Sequence, residues 1–171
     1  GEPRMVRLAF GLRRPKRPTI GRDVAGVVES VGAQVTRFRV GDAVYAESNQ
    51  GGYAEFAAVQ ERFVALRPTT VDAVHASAVP VSGTTALQGL RLAGVAPGQH
   101  VLVNGASGGV GRFAVQLAKA MGAEVTGVCR AAKADHVRAI GADHVIDYTS
   151  EDFTVGGGRY DVIFDLVGDH P

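Results

Sequence analysis

The feature that most constrains this fold is a run of small residues between an apolar strand and an amphipathic helix. The strand is predicted at 100–104, and the loop "GASGGVG" follows at 105–111. One face of the predicted helix carries five apolar side chains, namely Val110, Phe113, Ala114, Leu117 and Met121, and Gly122 closes the helix. Small residues let an anion approach the backbone, and the helix dipole favours negative charge there. The loop predicts a phosphate site, although a tight turn without a ligand can carry the same residues.

The positions in this loop match the dinucleotide-binding pattern G-x-G-x-x-G with alanine in the first place. They are Ala106, Ser107, Gly108, Gly109, Val110 and Gly111. Gly108 would allow close approach to a pyrophosphate, and Gly111 would let the helix pack on the strand. Further strands are predicted at 124–128, 143–147 and 160–165, with a helix before Gly141. Strands at this spacing predict a parallel α/β sheet with right-handed crossovers.

The end of the second strand of this series indicates which dinucleotide binds. NAD-binding forms of the fold place an acid there, on the ribose 2′-hydroxyl. Cys129 occupies that position, Arg130 follows it, and Lys133 lies one helical turn further. Cations can bind a 2′-phosphate, and a guanidinium can do so in bidentate fashion. We therefore predict an NADPH pocket with Cys129 as a space-filling residue; the alternative is that both cations are only solvated at a helix start.

The first part of the chain has a different texture, by which we mean a different pattern of apolar residues and glycines. Short apolar runs split by glycines predict strands in "VAGVVESV", "DAVYAE", "GGYAEFAAV" and "RFVAL". Two helices are then expected, one beginning at an N-cap Thr70 and one ending near Gly94, before a turn at Pro97–Gly98. The change of texture predicts two domains, 1–90 and 91–171.

Several longer motifs together carry a specific resemblance. They are "GRDVAGVVESVG", "VGDAVYA", "GGYAEF", "SGTTALQGL", "VLVNGASGGVG", "AIGADHVIDY" and "YDVIFDLVG". The chain resembles the medium-chain dehydrogenase/reductase superfamily, and most of all its zinc-independent, quinone-oxidoreductase-like (zeta-crystallin-like) branch. The resemblance implies a GroES-like β domain, incomplete at its start, followed by a Rossmann domain that is incomplete at its end. We expect residues 1–171 to be a fragment that is inactive alone.

One motif departs from the zinc enzymes of this superfamily. They carry Gly-His-Glu where this chain has Gly21-Arg22-Asp23, and an arginine cannot ligate zinc. The chain has a single cysteine, so it cannot build a four-cysteine structural site. Its five histidines, His75, His100, His136, His144 and His170, show no short metal spacing. We therefore predict no metal.

The resemblance also implies roles for individual residues. Ser107 to Gly111 match the phosphate loop. Lys133 and Tyr148 match residues that similar enzymes direct at the 2′-phosphate and adenosine side. Thr85 matches a threonine near the nicotinamide, and Leu166 matches a position that lines the ribose. The alternatives are a helix-surface hydroxyl for Thr85 and a half-buried aromatic ring for Tyr148.

These features predict an NADPH-dependent, zinc-independent reductase of quinones or α,β-unsaturated carbonyl compounds, for which the sequence identifies no catalytic proton donor. The alternatives are an enoyl-thioester reductase module of a polyketide or fatty-acid synthase and a non-catalytic NADPH-binding protein.

The net charge of +1 creates no electrostatic field that would attract nucleic acid, and the basic run at 12–18 is expected to be a solvated loop. No apolar run is long enough to span a membrane. We expect a cytoplasmic protein that forms a homodimer when full length.

Overall fold

The structure, a computed structural model, describes residues 20–48, 51–155 and 159–168. The chain divides into a compact unit that ends at Val81 and a second unit that begins at Ser82. The domain boundary between 90 and 91 stays a prediction. The basic run at 12–18 lies outside the described residues.

The first unit contains a three-stranded antiparallel sheet in the order β1-β2-β3. The strands are β1 (Asp23–Val27), β2 (Ala43–Glu47) and β3 (Val64–Leu66), and a 3-10 turn, Glu61–Phe63, precedes β3. The carboxylate of Glu61 accepts hydrogen bonds from the backbone N–H groups of Thr36 (3.0 Å) and Arg37 (2.6 Å). It thereby ties the long β1–β2 connection to the start of β3.

The prediction of a strand at 51–59 is wrong. Gly52 and Tyr53 donate hydrogen bonds to the carbonyls of Gly21 and Ile20, both at 3.0 Å, but no strand forms in this segment. The aromatic side chains that suggested a half-buried strand are largely exposed in the structure, Tyr53 at 75% and Phe56 at 70%. With no buried face to fix an extended conformation, alternating residues alone do not make a strand.

Two helices follow the first sheet, α1 (Ala73–Ala76) and α2 (Pro80–Leu92). The N-cap of α1 is Asp72, whose carboxylate accepts the N–H of His75 at 2.8 Å, so the prediction of Thr70 as the cap is wrong. Aspartate caps at least as well as threonine, and it stands nearer the first helical turn. Pro80 begins α2, a position that tolerates its missing N–H. The Asp23 carboxylate accepts the N–H of Val81 at 2.7 Å, which caps this end of α2.

The second unit is a parallel sheet in the order β6-β5-β4-β7, which confirms the predicted α/β architecture. Its strands are β4 (His100–Asn104), β5 (Glu124–Cys129), β6 (His144–Asp147) and β7 (Val162–Asp165). Its helices after α2 are α3 (Gly109–Ala120) and α4 (Ala134–Ala139), and a 3-10 turn, Ala131–Lys133, leads into α4. The chain builds β5 and β6 on one side of β4 and then returns to its other side with β7. The direction of winding therefore changes beside β4.

The core of the second unit lies between this sheet and helices that approach it through small residues. The fully buried positions of α3 are Gly111, Ala114, Val115 and Ala118. The other predicted apolar residues, Val110, Phe113, Leu117 and Met121, pack around the edge of the core and are only partly buried. On β5, a Cβ at Gly127 would lie 2.6 Å from Val137 Cγ1 and 3.0 Å from Ala106 Cβ. The glycine lets α4 and the start of the loop after β4 sit close to the sheet.

Candidate functional site

A cleft of about 980 Å³ opens at the carboxyl end of the parallel sheet. Ligands of open α/β sheets bind at this end, next to the strand where the winding direction changes. Eight of the predicted cofactor residues line the cleft: Ser107, Gly108, Gly109, Val110, Gly111, Cys129, Tyr148 and Leu166. The volume lies within the range of small-molecule sites.

The loop after β4 is folded on itself by short backbone bonds. Gly105 has a φ of +82°, which favours glycine, and its carbonyl accepts the N–H of Gly108 at 2.9 Å. A Cβ at Gly111 would lie only 2.1 Å from that same carbonyl oxygen. The close approach of Gly111 to Gly105 therefore excludes any side chain at this position.

The N-terminus of α3 gives the loop its capacity to hold an anion. Gly108 is the N-cap, and the amides of the first turn are those that a helix leaves without an intrahelical partner. Gly109, Val110 and Gly111 of this turn line the cleft. Arg112 Nε donates to the Ser107 carbonyl at 3.0 Å, which steadies the loop and adds a positive charge beside it. The residues present therefore fit a pyrophosphate.

Ala106 supports this loop from behind. Its side chain is fully buried, and its N–H donates to the Val128 carbonyl at 3.0 Å. The first place of the glycine pattern is therefore a packing position in this structure. Thr85 lies on an exposed part of α2, outside the cleft lining. Its predicted position near the nicotinamide stays a prediction.

The end of β5 carries no acid that could hold a ribose hydroxyl. Cys129 is 2% exposed, and its burial raises the pKa of the thiol, with the charge of Asp147 adding to the effect and Arg138 opposing it. Asp147, at the end of β6, accepts hydrogen bonds from the N–H (3.0 Å) and hydroxyl (2.8 Å) of Thr149. The backbone bond is the first cause of the lowered pKa of this carboxyl.

Both predicted cations, Arg130 and Lys133, follow the end of β5, and Tyr148 follows the end of the adjacent strand β6. Arg130 Nε donates to the Tyr148 hydroxyl at 2.6 Å, and this bond is the main reason that the pKa of Arg130 is raised. The Tyr148 N–H reaches the Cys129 carbonyl at 3.3 Å. Lys133 is exposed at the end of the 3-10 turn, and its N–H bonds to the Arg130 carbonyl at 2.8 Å. Neither cation lines the cleft itself, but Arg130 is bonded to a residue that does.

The structure adds lining residues that the sequence analysis missed. Asn104 is 4% exposed and donates to the Asp165 carboxylate at 2.9 Å, and this carboxylate also accepts the Val167 N–H at 3.0 Å. A polar residue at the end of an apolar strand was a usable signal for Asn104. The segment from Thr149 to Thr154 also lines the cleft. Nothing in the composition of this segment indicates that it lines the cleft, because its distance from the cleft depends on the path that the loop takes after β6.

The motif where zinc enzymes carry a ligand histidine has structural contacts here. Arg22 forms an ion pair with Glu47 on the neighbouring strand, and Asp23 caps α2. Within residues 20–48, 51–155 and 159–168, no group of three or more histidine, cysteine or acidic side chains is arranged to hold a metal. His170 lies outside these ranges. In the same described segments, none of the helices has the length and apolar character needed to cross a bilayer.

Two family models match the chain, one on each side of the change in texture. The model for the alcohol dehydrogenase GroES-like domain matches residues 4–69, and the model described as zinc-binding dehydrogenase matches residues 109–171. They occur in the predicted order. Neither covers 70–108, so they do not locate the domain boundary.

Curated relatives and solved structures agree with these matches. The chain is 39% identical over 163 residues to 2-methylene-furan-3-one reductase of Solanum lycopersicum, covering 88% of this chain and 42% of that protein. It is 43% identical over 154 residues to a chloroplast envelope quinone oxidoreductase homolog of Arabidopsis thaliana, covering 82% and 47%. The chain thus spans about half the length of the curated relatives it matches, or less.

The fold matches at the level of solved structures too. Escherichia coli quinone oxidoreductase complexed with NADPH superposes with a TM-score of 0.74 at 33% identity, covering 85% of this chain and 46% of that one. The CurK enoyl reductase superposes with a TM-score of 0.71 at 32% identity, covering 75% and 39%. With a GroES-like segment followed by a Rossmann-type sheet, and relatives that are quinone oxidoreductases and enone reductases, the chain belongs to the medium-chain dehydrogenase/reductase superfamily, in its quinone-oxidoreductase-like branch.

Proposed function

We propose that the full-length protein is an NADPH-dependent, zinc-independent oxidoreductase that reduces quinones or α,β-unsaturated carbonyl compounds. The observation that carries the proposal is the cleft at the carboxyl end of the sheet, which joins a phosphate loop to a strand end without an acid. Its lining includes Ser107, Gly108 and Cys129. The names of the tomato and Arabidopsis relatives support the substrate class, and the NADPH complex of the Escherichia coli enzyme supports the cofactor.

Different residues of the second unit would bind different parts of the dinucleotide. The amides at the start of α3 would bind the pyrophosphate, because they combine free donors with the positive end of the helix dipole. Arg130 and Lys133 would bind the 2′-phosphate, where an acid would repel it. Leu166 and Val167, which line the cleft, would exclude water from the ribose beside β7.

The proposed chemistry needs no metal ligand from this chain. When bound, NADPH would supply a hydride for the β-carbon of an enone, and a proton from water would be added at the α-carbon to balance the reduction. A conjugated substrate delocalises its own negative charge, so it does not need a Lewis acid to the extent that an alcohol does. Arg22 in place of a ligand histidine is consistent with this substrate class.

One alternative has a specific observation in its favour. The similarity to the CurK enoyl reductase, at 32% identity, is nearly as high as that to the Escherichia coli quinone oxidoreductase, at 33%. A thioester substrate would be presented on coenzyme A or a carrier protein, whereas a quinone or enone would diffuse in freely. A non-catalytic NADPH-binding protein would bind the dinucleotide and reduce neither class.

The test is a substrate panel on the full-length protein, with NADPH deuterated at C4 of the nicotinamide. We expect turnover of free enones or quinones and, for enones, deuterium at the β-carbon of the product by mass spectrometry. Turnover of only enoyl thioesters would replace this proposal with the alternative. No transfer to any member of the panel, with NADPH still bound, would indicate a non-catalytic protein. As a control, the Gly26→Ala variant should behave like the parent protein in this panel, because a Cβ at Gly26 meets nothing within 4 Å.

A further inference from the structure

We propose that Tyr148 is a positioning residue that holds the Arg130 guanidinium for the 2′-phosphate, and that the two side chains recognise this group as one unit. The inference rests on the proposed binding of NADPH. It differs from the role that the resemblance implies for Tyr148, which is direct contact with the cofactor. In the structure, the hydroxyl of Tyr148 is already engaged by Arg130 Nε at 2.6 Å.

The geometry of this bond selects which edge of the guanidinium remains available. A guanidinium carries five N–H donors in a planar fork, and it binds anions either through Nε and one Nη or through both Nη atoms. With Nε given to the Tyr148 hydroxyl, the edge formed by both Nη atoms is left for a phosphate. The guanidinium carbon lies 5.9 Å from the centre of the Tyr148 ring, so the guanidinium sits at the hydroxyl end of the ring and is held by the hydrogen bond.

Tyr148 is also the connection between Arg130 and the cleft. The tyrosine lines the cleft, and Arg130 does not. The backbone of Tyr148 is fixed against β5 by its N–H bond to the Cys129 carbonyl at 3.3 Å. A tyrosine side chain has only two rotatable bonds, so its hydroxyl is a firm support. The long and exposed arginine side chain has no comparable rigidity of its own.

The charges nearby explain why such a support is needed. Asp147 immediately precedes Tyr148 and acts on Arg130 electrostatically, and Glu151 and Asp152 line the cleft. These acids attract an arginine and repel a phosphate. Without the tyrosine hydroxyl, we expect the guanidinium to be drawn toward Asp147, the acid that acts on it, and to lose its orientation for the ligand. Lys133, a cation of the same region, has no side-chain partner among the residues that the structure describes, so it serves as the matched comparison.

The test is a double-mutant cycle in the full-length protein, with binding measured by calorimetry. The probes are adenosine 2′,5′-bisphosphate and adenosine 5′-monophosphate, which differ in the 2′-phosphate and contain no nicotinamide. We expect Arg130→Ala to weaken the bisphosphate about tenfold or more and to leave the monophosphate unchanged. Tyr148→Phe should remove most of the same preference, and the double variant should match Arg130→Ala alone. Combined with Lys133→Ala, by contrast, the effect of Tyr148→Phe should multiply.

A second starting variant, Arg130→Lys, shows whether a weaker affinity comes from the loss of the pair or from a loss of folding. Arg130→Lys keeps the charge but replaces the planar fork with a single ammonium, which has no Nη edge for the tyrosine to orient, so Tyr148→Phe should add little there. Independent, multiplying effects of Arg130→Ala and Tyr148→Phe would overturn the inference and assign Tyr148 a direct phosphate contact. Equal weakening of both probes by Tyr148→Phe would overturn it in favour of an adenosine contact. Because the probes cannot be reduced, an enzyme that fails the substrate panel but keeps this coupling would reject the proposed reaction and retain the pair.

Discussion

At both ends of the loop from Gly105 to Gly111, the backbone conformation depends on the absence of a Cβ atom. Gly105 supplies a positive φ, and Gly111 comes so close to its carbonyl that a Cβ would lie 2.1 Å away. The glycine pattern in the sequence predicted that Gly111 is needed for packing. The structure identifies the atom that it packs against, which is a backbone oxygen and therefore cannot turn aside.

A Gly111→Ala substitution should disrupt the loop and with it dinucleotide binding. Since the backbone must move by more than an ångström, we expect at least a tenfold loss of NADPH affinity and a loss of stability of about 1–3 kcal/mol. Fluorescence titration and chemical denaturation measure the two effects. The Gly26→Ala variant should change neither affinity nor stability by a comparable amount. Unchanged NADPH affinity in Gly111→Ala would contradict the site.

The thiol of Cys129 should be a poor nucleophile despite its place on the cleft. Burial raises its pKa, so the thiolate fraction at neutral pH is smaller than that of a free cysteine. Alkylation by iodoacetamide, followed on the peptide that contains Cys129 by mass spectrometry, should be slower than that of glutathione at pH 7.5. Its rate should still rise above pH 9, and bound NADPH should slow it further. Rapid labelling at pH 7 would show that the thiol is activated instead.

At the scale of elements, the parallel strands and α3 follow closely from local pattern. The predicted strand at 100–104 matches β4, and β5 is longer than predicted by Cys129 alone. The segment at 51–59 has similar alternation but no buried face, and it forms no strand. Strand formation therefore depends on whether a neighbouring surface accepts the side chains, which a local pattern does not report.

The junction of α3, β5 and β6 should make stability depend on pH. Asp143 accepts Lys119 Nζ at 2.5 Å and the Val125 N–H at 2.8 Å, and the first of these bonds is the main cause of its lowered pKa. A lowered folded-state pKa contributes stability above the unfolded pKa, and this contribution is lost as the pH falls through the folded value.

The Asp143→Asn variant should therefore be less stable than the parent by about 1 kcal/mol above pH 5, as expected for a partly exposed pair. The difference should shrink as the pH falls below about 4. Denaturation curves at pH 7, 5 and 3.5 measure it. Asp135→Asn is the control, since the Asp135 side chain is fully exposed beside Arg138. A difference that stays constant across this range would exclude the charge of Asp143 as the cause.

At the scale of the whole molecule, the chain is two units that each resemble part of a longer relative. One relative is covered to 42% of its length and the other to 47%. The activity, the substrate and the expected homodimer are therefore proposals for the full-length protein. The expectation of a cytoplasmic protein gains no support from the chloroplast envelope relative and stays a prediction.

Zinc dependence can be tested on that full-length protein. Because Arg22 pairs with Glu47 at the position of a ligand histidine, we expect less than one equivalent of zinc by elemental analysis. Activity with an enone should survive dialysis against a chelator. Stoichiometric zinc whose removal abolishes activity would place the protein with the zinc-dependent members. An Arg22→His variant that gains tightly bound zinc would show that the rest of a ligand set is present.

The sequence by itself determined the α/β class, the parallel series and the glycine loop, which depend on residues close together in the chain, where periodicity and glycine spacing act directly. The family followed from the resemblance that longer motifs carry along most of the chain. The tertiary structure alone decided that Asn104 meets Asp165, that the segment after Tyr148 lines the cleft, and that Tyr148 holds Arg130. The first and the last of these are contacts between the ends of different strands, 61 and 18 residues apart in the chain. Only the strand order brings such ends together, and no local pattern carries that order.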